Sequence, residues 1–186
     1  MSTLVCFVEG KAEKILLDTL LPKLLPAGVS HQVIPFEGKQ DLEKQLERKM
    51  RGWLTPDSRF LVLRDKDQGD CTVLKQRLME KCRASGQTKF LVRIACHEME
   101  SFYLGDLAAV EAGLQKTGLQ KQQLGRKFRD PDALGNAKQE LERLTKDAYE
   151  EIAGSRVIAP HLKLDGQNAS TSFRHLLSGI AKLTAS

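Results

Sequence analysis

Seven acidic residues in this 186-residue sequence stand where a carboxylate could grip a cation: Glu9 and Glu13 in "VEGKAE", Asp65, Asp67 and Asp70 in "RDKDQGD", and Glu98 and Glu100 in "CHEMES". Each group directly follows a run rich in Val, Ile, Leu and Phe. Carboxylates held close together repel one another unless a cation neutralises them, and a set of hard oxygen donors suits Mg2+ or Mn2+. Glu13 falls one helical turn beyond Glu9. Asp65 and Asp67 are two positions apart, so an extended backbone would aim both at one face and turn Lys66 away. Plainer roles compete at the edges of the set: Asp70, just before "CTVLKQ", is a good helix N-cap, and Glu13 in a first turn would complement a helix dipole. Glu9, Asp65 and Asp67 together resist that account, because acids that end apolar strands in separate loops are a poor solution for stability alone.

The elements that must position these acids are legible. "TLVCFVE", "HQVIPF", "RFLVLRD" and "KFLVRIAC" read as strands, and "AEKILLDTLLPKLL", "KQDLEKQLERKMRGWL" and "CTVLKQRLMEKCRASG" between them carry apolar residues at helical spacing. Pro22 is expected to kink or end the first of these helices. The βαβαβαβ order predicts a Rossmann-like α/β core, a four-stranded, mainly parallel sheet with right-handed crossovers and helices on its faces. Ligands of such sheets bind beyond the carboxyl ends of the strands, where the acids lie. From about Ser101 the pattern turns helical, with Asp106 as an N-cap, a break at "RDPDALGN", a charged helix over "AKQELERLTKDAYEEI", and a closing helix after Ser170–Ser172. "RVIAPHLKL" is expected to add an edge strand, weakened by Pro160. Residues 1–104 thus form the core and 105–186 a mostly helical extension packed on it, as one folded unit.

A net charge of +5 and a pI near 9.0 are compatible with a polyanionic partner without requiring one. Four cysteines, none in a C-x-x-C pair, argue against zinc and against a disulfide framework. No stretch approaches the roughly 18 apolar residues of a membrane helix, and the first residues lack a basic leader, so a reducing cytoplasm is expected. "DKDQGDCTVLKQ" is not an EF-hand loop, since Asp70 takes the glycine position and Gln76 that of the closing glutamate. Walker A and G-x-G-x-x-G patterns are absent. Lys11, Lys39 and Arg64 are the cations nearest the acids and candidate phosphate contacts. His97 and His161 are further candidates, each weighed against a structural role. The tract Lys116, Lys121, Arg126, Lys127 and Arg129 could follow a nucleic-acid backbone or simply be a solvated face. Phe102, Tyr103 and Trp53 read as packing residues.

V-E-G-x-x-[DE] after the first strand, followed by D-x-D after a later strand of a parallel sheet, resembles the Toprim domain. From Thr3 to Leu104 the chain is most similar to small stand-alone bacterial Toprim-like proteins and to the Toprim domain of OLD-family nucleases. That resemblance implies a Mg2+- or Mn2+-dependent nuclease acting on DNA or RNA, two cations assisting in-line attack on a phosphodiester, and a setting in phage defence. It implies Glu9 as ligand or general base, Glu13 as the second acid, Asp65 and Asp67 as ligands, and either Glu98 or Glu100 as the further acid. A different class of function is a partner-dependent effector subunit working beside an ATPase. Topoisomerase chemistry is disfavoured because only Tyr103 and Tyr149 could serve as nucleophiles. A primase would need zinc and polymerase segments, and a recombination mediator a helix-hairpin-helix and zinc cysteines. A phosphoacceptor domain fits Glu13 and Asp67 less well than a two-metal site does.

Overall fold

The computed structural model describes residues 2–185. Strands β1 (Ser2–Val8), β2 (Val29–Pro35), β3 (Ser58–Asp65) and β4 (Phe90–Ala95) form one sheet in the order β2-β1-β3-β4, parallel throughout. Helices α1 (Lys11–Leu24), α2 (Lys39–Arg51) and α3 (Cys71–Ala84) make the crossovers. The path steps one way from β1 to β2 and the other way from β2 to β3 and β4, so right-handed crossovers must place α1 on one face and α2 and α3 on the other.

The core follows that division. Leu4, Cys6, Val8, Leu61 and Leu63 pack with Leu16, Leu17, Leu20 and Leu21 of α1, while Val5, Phe7, Phe60 and Val62 meet Leu42, Leu46 and Met50 of α2 and Leu74 and Leu78 of α3. Consecutive residues of β1 are therefore buried on both faces, as a covered parallel sheet requires. Pro22 lies inside the last turn of α1 and does not end it, and the Leu25 N–H still reaches the Leu21 carbonyl at 2.9 Å.

Beyond β4 the chain forms α4 (Glu100–Leu104), α5 (Leu107–Gly113), α6 (Ala137–Thr145), α7 (Glu151–Ile158) and α8 (Thr171–Thr184), with 3-10 turns at Gln120–Gln122, Pro131–Ala133 and Ala159–His161. Asp106 caps α5 by accepting from the Ala109 N–H at 3.2 Å, and Ser170 caps α8 by accepting from Phe173 at 3.1 Å. Phe102, Tyr103, Leu141, Ile158, Phe173 and Leu176 join the apolar side of α1 in one continuous core. No helix of the described residues is long and apolar enough to cross a membrane.

Two expectations about this extension are corrected. The charged stretch 137–152 is not one helix: Lys146 and Asp147 adopt left-handed φ of 55° and 59°, and the turn lets Tyr149 fold inward while its N–H is held by Thr145 Oγ1 at 3.2 Å. "RVIAPHLKL" forms no edge strand but the end of α7 and a 3-10 turn, because Ile158 and Ala159 are buried against α1 and α5. The segment before α8 is tied to α4 at Gly105, where an added Cβ would lie 2.0 Å from Asn168 Oδ1 and 2.7 Å from the Ser170 nitrogen. Gly105→Ala is expected to cost on the order of 1–3 kcal/mol by overpacking, read as a lower urea midpoint at unchanged slope.

Candidate functional site

Strand order reverses between β1 and β3, and a crevice opens at such a reversal beyond the carboxyl ends of the strands. Glu9 follows β1 and Asp65 ends β3. The two are clipped together: Glu9 Oε1 accepts from the Asp65 N–H at 3.2 Å and from Arg64 Nε at 3.1 Å. Glu13 lies in the first turn of α1 and is 7% exposed. Gly10 leaves room beside it, since a Cβ there would sit 3.3 Å from Glu13 Oε2, a close contact that the carboxylate would have to yield to. Glu100, in the first turn of α4 and 4% exposed, accepts from the Tyr149 hydroxyl at 2.9 Å.

The charges of three of these carboxylates converge on the fourth, Asp65. Asp65 Oδ1 is buried without a hydrogen-bond partner. Burial first, then the charges of Glu13, Glu9 and Glu100, push the Asp65 carboxyl well above its ordinary range. Glu9 is pushed up to about 7 by burial and then by Glu13, against the pull of Arg64. Glu13 is raised by burial, while its own amide and that of Gly10 draw it down. Glu100 reaches about 7 through burial, opposed by the Tyr149 hydroxyl.

The other candidates are distributed differently. Strand geometry stops at Asp65, and Asp67 takes a left-handed φ of 53°, so the two aspartates do not share a face. Asp67 turns toward α2, where its carboxylate meets Lys39 Nζ at 2.8 Å. Its backbone is fastened to His97, which has φ of 61°: the Asp67 N–H donates to the His97 carbonyl at 2.8 Å, and the His97 ring Nδ1 lies 3.2 Å from the Asp67 carbonyl. Asp70 is exposed and caps α3 through the Val73 N–H at 2.9 Å. Glu98 turns to the start of α6 and accepts from the Lys138 N–H at 2.8 Å, so of the two glutamates after β4 it is Glu100 whose charge acts on Asp65. His161 is exposed beside Pro160, whose carbonyl takes Lys23 Nζ at 3.0 Å near the far end of α1 from Glu13. Lys11 is exposed at the start of α1. Arg64, 6% exposed, is held between Glu9 and Glu43, with Nη1 at 2.8 Å from Glu43 Oε1. Among the described residues no three His, Cys, Asp or Glu side chains stand ready to hold one ion together.

Sequence reasoning overlooked Glu43, Lys138 and the service of Tyr149 to Glu100. Glu43 had a signal, being one turn from Lys39 on α2 and therefore on the same face. Tyr149 and Lys138 had none, because they arrive through the packing of the extension. Tyr103 and Tyr149 are 0% and 3% exposed and burial holds both phenols far above their ordinary range, which makes them poor nucleophiles. The basic tract runs through turns and a short 3-10 segment instead of a helix, with Lys127 paired to Glu140. Trp53 packs edge-on to Phe60 at 6.4 Å, and Phe102 is fully buried.

Comparison with known proteins returns the same architecture. No curated protein matches the chain. Among solved structures, the C-terminal region of the Burkholderia pseudomallei OLD protein is 20% identical over 98% of each chain with a TM-score of 0.52. The C-terminal region of the Xanthomonas campestris pv. campestris OLD protein is 16% identical, with a TM-score of 0.50, over 99% of this chain and 96% of that one. At such identities the likeness is one of fold. The model of the family described as "Domain of unknown function (DUF4276)" matches residues 8–181, and the chain belongs to that family.

Proposed function

We propose that the protein is a Toprim-type, Mg2+- or Mn2+-dependent nuclease that cleaves phosphodiesters of DNA or RNA, with a setting in the cytoplasm and in phage defence. The observation that carries this reading is the buried, partnerless Oδ1 of Asp65 amid Glu9, Glu13 and Glu100 at the reversal of the sheet. Hard oxygen donors whose charges converge on one buried carboxyl form a set that fits a divalent cation. When bound, such ions act as Lewis acids and lower the pKa of a bound water. Asp65, Glu9 and Glu13 would hold them, with Glu100 as the fourth acid and Asp67 joining once it leaves Lys39.

The chain's own contribution is positional. The Asp65 N–H and Arg64 fix Glu9, Gly10 leaves room for the Glu13 carboxylate, and Tyr149 orients Glu100. A second reading, an effector subunit completed by an ATPase, draws support from two observations. The acids are not gathered into a ready site among the described residues, and both solved neighbours are C-terminal regions of OLD proteins.

Purified protein incubated with supercoiled plasmid, single-stranded DNA and bulk tRNA in Mn2+ or Mg2+ is expected to cut at least one of them. Glu13→Gln is expected to lower that rate by about a hundredfold or more, with its fold intact by circular dichroism. Cleavage that survives the substitution unchanged would sink the site assignment. A folded wild type that binds divalent ions and cuts nothing would favour the effector reading.

A further inference from the structure

Next to the carboxylates, toward α2 and α3, lies a cleft of about 340 Å3 lined by Lys39, Arg64, Lys66, Asp67, Gly69 and Arg77 among others. Its cations are almost all neutralised from within. Lys39 pairs with Asp67 at 2.8 Å, Arg64 lies between Glu9 at 3.1 Å and Glu43 at 2.8 Å, and Arg77 meets Glu43 at 2.9 Å. Lys66 has no ion-pair partner among the described residues. The Arg64 guanidinium is buried, and its Nη1, although close to Glu43, makes no aligned hydrogen bond. A buried guanidinium nitrogen that is ion-paired but poorly aligned is incompletely satisfied, and the cations around it can accept a further anion.

Two of the acids that neutralise this cleft, Asp67 and Glu9, also belong to the candidate metal set. If they turn toward a cation, Lys39 loses its counter-charge, Arg64 keeps only Glu43, which it shares with Arg77, and the cleft becomes net positive. Phosphate oxygens are the natural replacement, since guanidinium and ammonium groups bind them through short, charge-assisted hydrogen bonds. Lys39 and Arg77, at 47% and 51% side-chain exposure, are reachable from solvent.

We propose that this cleft takes a backbone phosphate of the nucleic-acid strand, contacted by Lys39, Lys66 and Arg77, and that the Lys39–Asp67 pair keeps it closed until Asp67 turns to a cation. Cation binding and strand binding then strengthen each other, by the same factor in either direction. The inference rests on the nuclease reading, and it assigns the strand to the α2 and α3 side of the sheet instead of the basic tract of residues 116–129.

The test is binding of fluorescein-labelled single-stranded DNA and RNA of one sequence to the full chain, read by anisotropy in EDTA and in Ca2+. Wild type is expected to bind more tightly in Ca2+. Asp67→Asn, which suits the left-handed backbone as well as aspartate does, is expected to bind in EDTA about tenfold more tightly than wild type and to lose the response to Ca2+. Lys66→Glu combined with Arg77→Glu is expected to weaken binding by about tenfold and to flatten its salt dependence by about two contacts. Thermal unfolding shows whether each variant is folded.

Affinity that ignores both changes, with Lys121→Glu, Arg126→Glu and Arg129→Glu abolishing it instead, overturns the proposal. Inorganic phosphate competing as strongly as a strand overturns it too, since the cleft would then be a site for free phosphate. If nothing is cut under any condition and Asp67→Asn still tightens binding, the nuclease reading falls and this one stands. Cleavage by a protein whose affinity is indifferent to the cleft variants is the reverse case.

Discussion

Asp65→Asn is expected to abolish divalent-dependent cleavage, by on the order of a thousandfold, and also to make the chelator-treated protein more stable than wild type. The two effects share one cause. Asp65 ends a central strand with a buried oxygen that no donor satisfies, and burial, Glu13, Glu9 and Glu100 all disfavour its charge. An amide of the same shape carries no charge to be repelled. The gain should be on the order of 1–3 kcal/mol near pH 8, where the carboxylate is under most pressure to ionise, and should shrink toward pH 5. A residue that costs stability where it stands, and whose replacement costs activity, is held for its chemistry. Calorimetric scans of both proteins in EDTA decide it: an asparagine variant that melts below wild type at pH 8 would give the Asp65 carboxylate a structural task instead.

Without divalent ions the protein should lose stability as pH rises from about 4.5 to about 7, opposite to the usual rise of stability with pH in that range. The sign follows from Glu9 and Glu100. Each moves from an ordinary 4.5 up to about 7 in the folded chain, so between those values the folded state holds a proton that the unfolded state has released. The stability is fully present below 4.5 and is lost as pH passes through 7. For either group alone this amounts to on the order of 3 kcal/mol, and the two do not add, because both are coupled to Asp65. In a chain of this size the midpoint should drop by roughly 10 °C between pH 5 and pH 8. Mg2+ or Mn2+ should restore much of it at pH 8 and little at pH 5, where protons compete for the same oxygens. Glu100→Gln should flatten the curve. A midpoint that climbs from pH 5 to pH 8 in EDTA would show that these carboxyls are not buried together.

The sheet was legible because its signal is local. Apolar runs of six to eight residues followed by amphipathic stretches leave little choice of element, and the ends of β1 and β3 then bring Glu9 and Asp65 to one crevice. What escaped depends on contacts distant in sequence or on single backbone angles. Nothing local says that Asp67 will adopt a left-handed conformation and abandon the face of Asp65 for Lys39. The choice between Glu98 and Glu100 rests on the turn at His97, also left-handed, which sends one glutamate to cap α6 and the other inward to Tyr149. "RVIAP" has strand-like composition, yet Ile158 and Ala159 are captured by α1 and α5 as a helix end, a tertiary preference that overrides β propensity.

The packing of α7 and α8 against α1 bears on when the acidic group of a newly synthesised chain is enclosed. Glu9, Glu13 and Asp65 leave the ribosome early, while Tyr149, which orients Glu100, and α7 and α8, which help enclose Leu16, Leu17 and Leu20, leave it much later. Until then Glu100 lacks the Tyr149 hydroxyl, and the part of the burial that the late helices supply is not yet in place. At roughly 5–20 residues per second, the interval between a complete sheet and a buried acidic group lasts several seconds. The acidic group is thereby completed only after the last helices have docked.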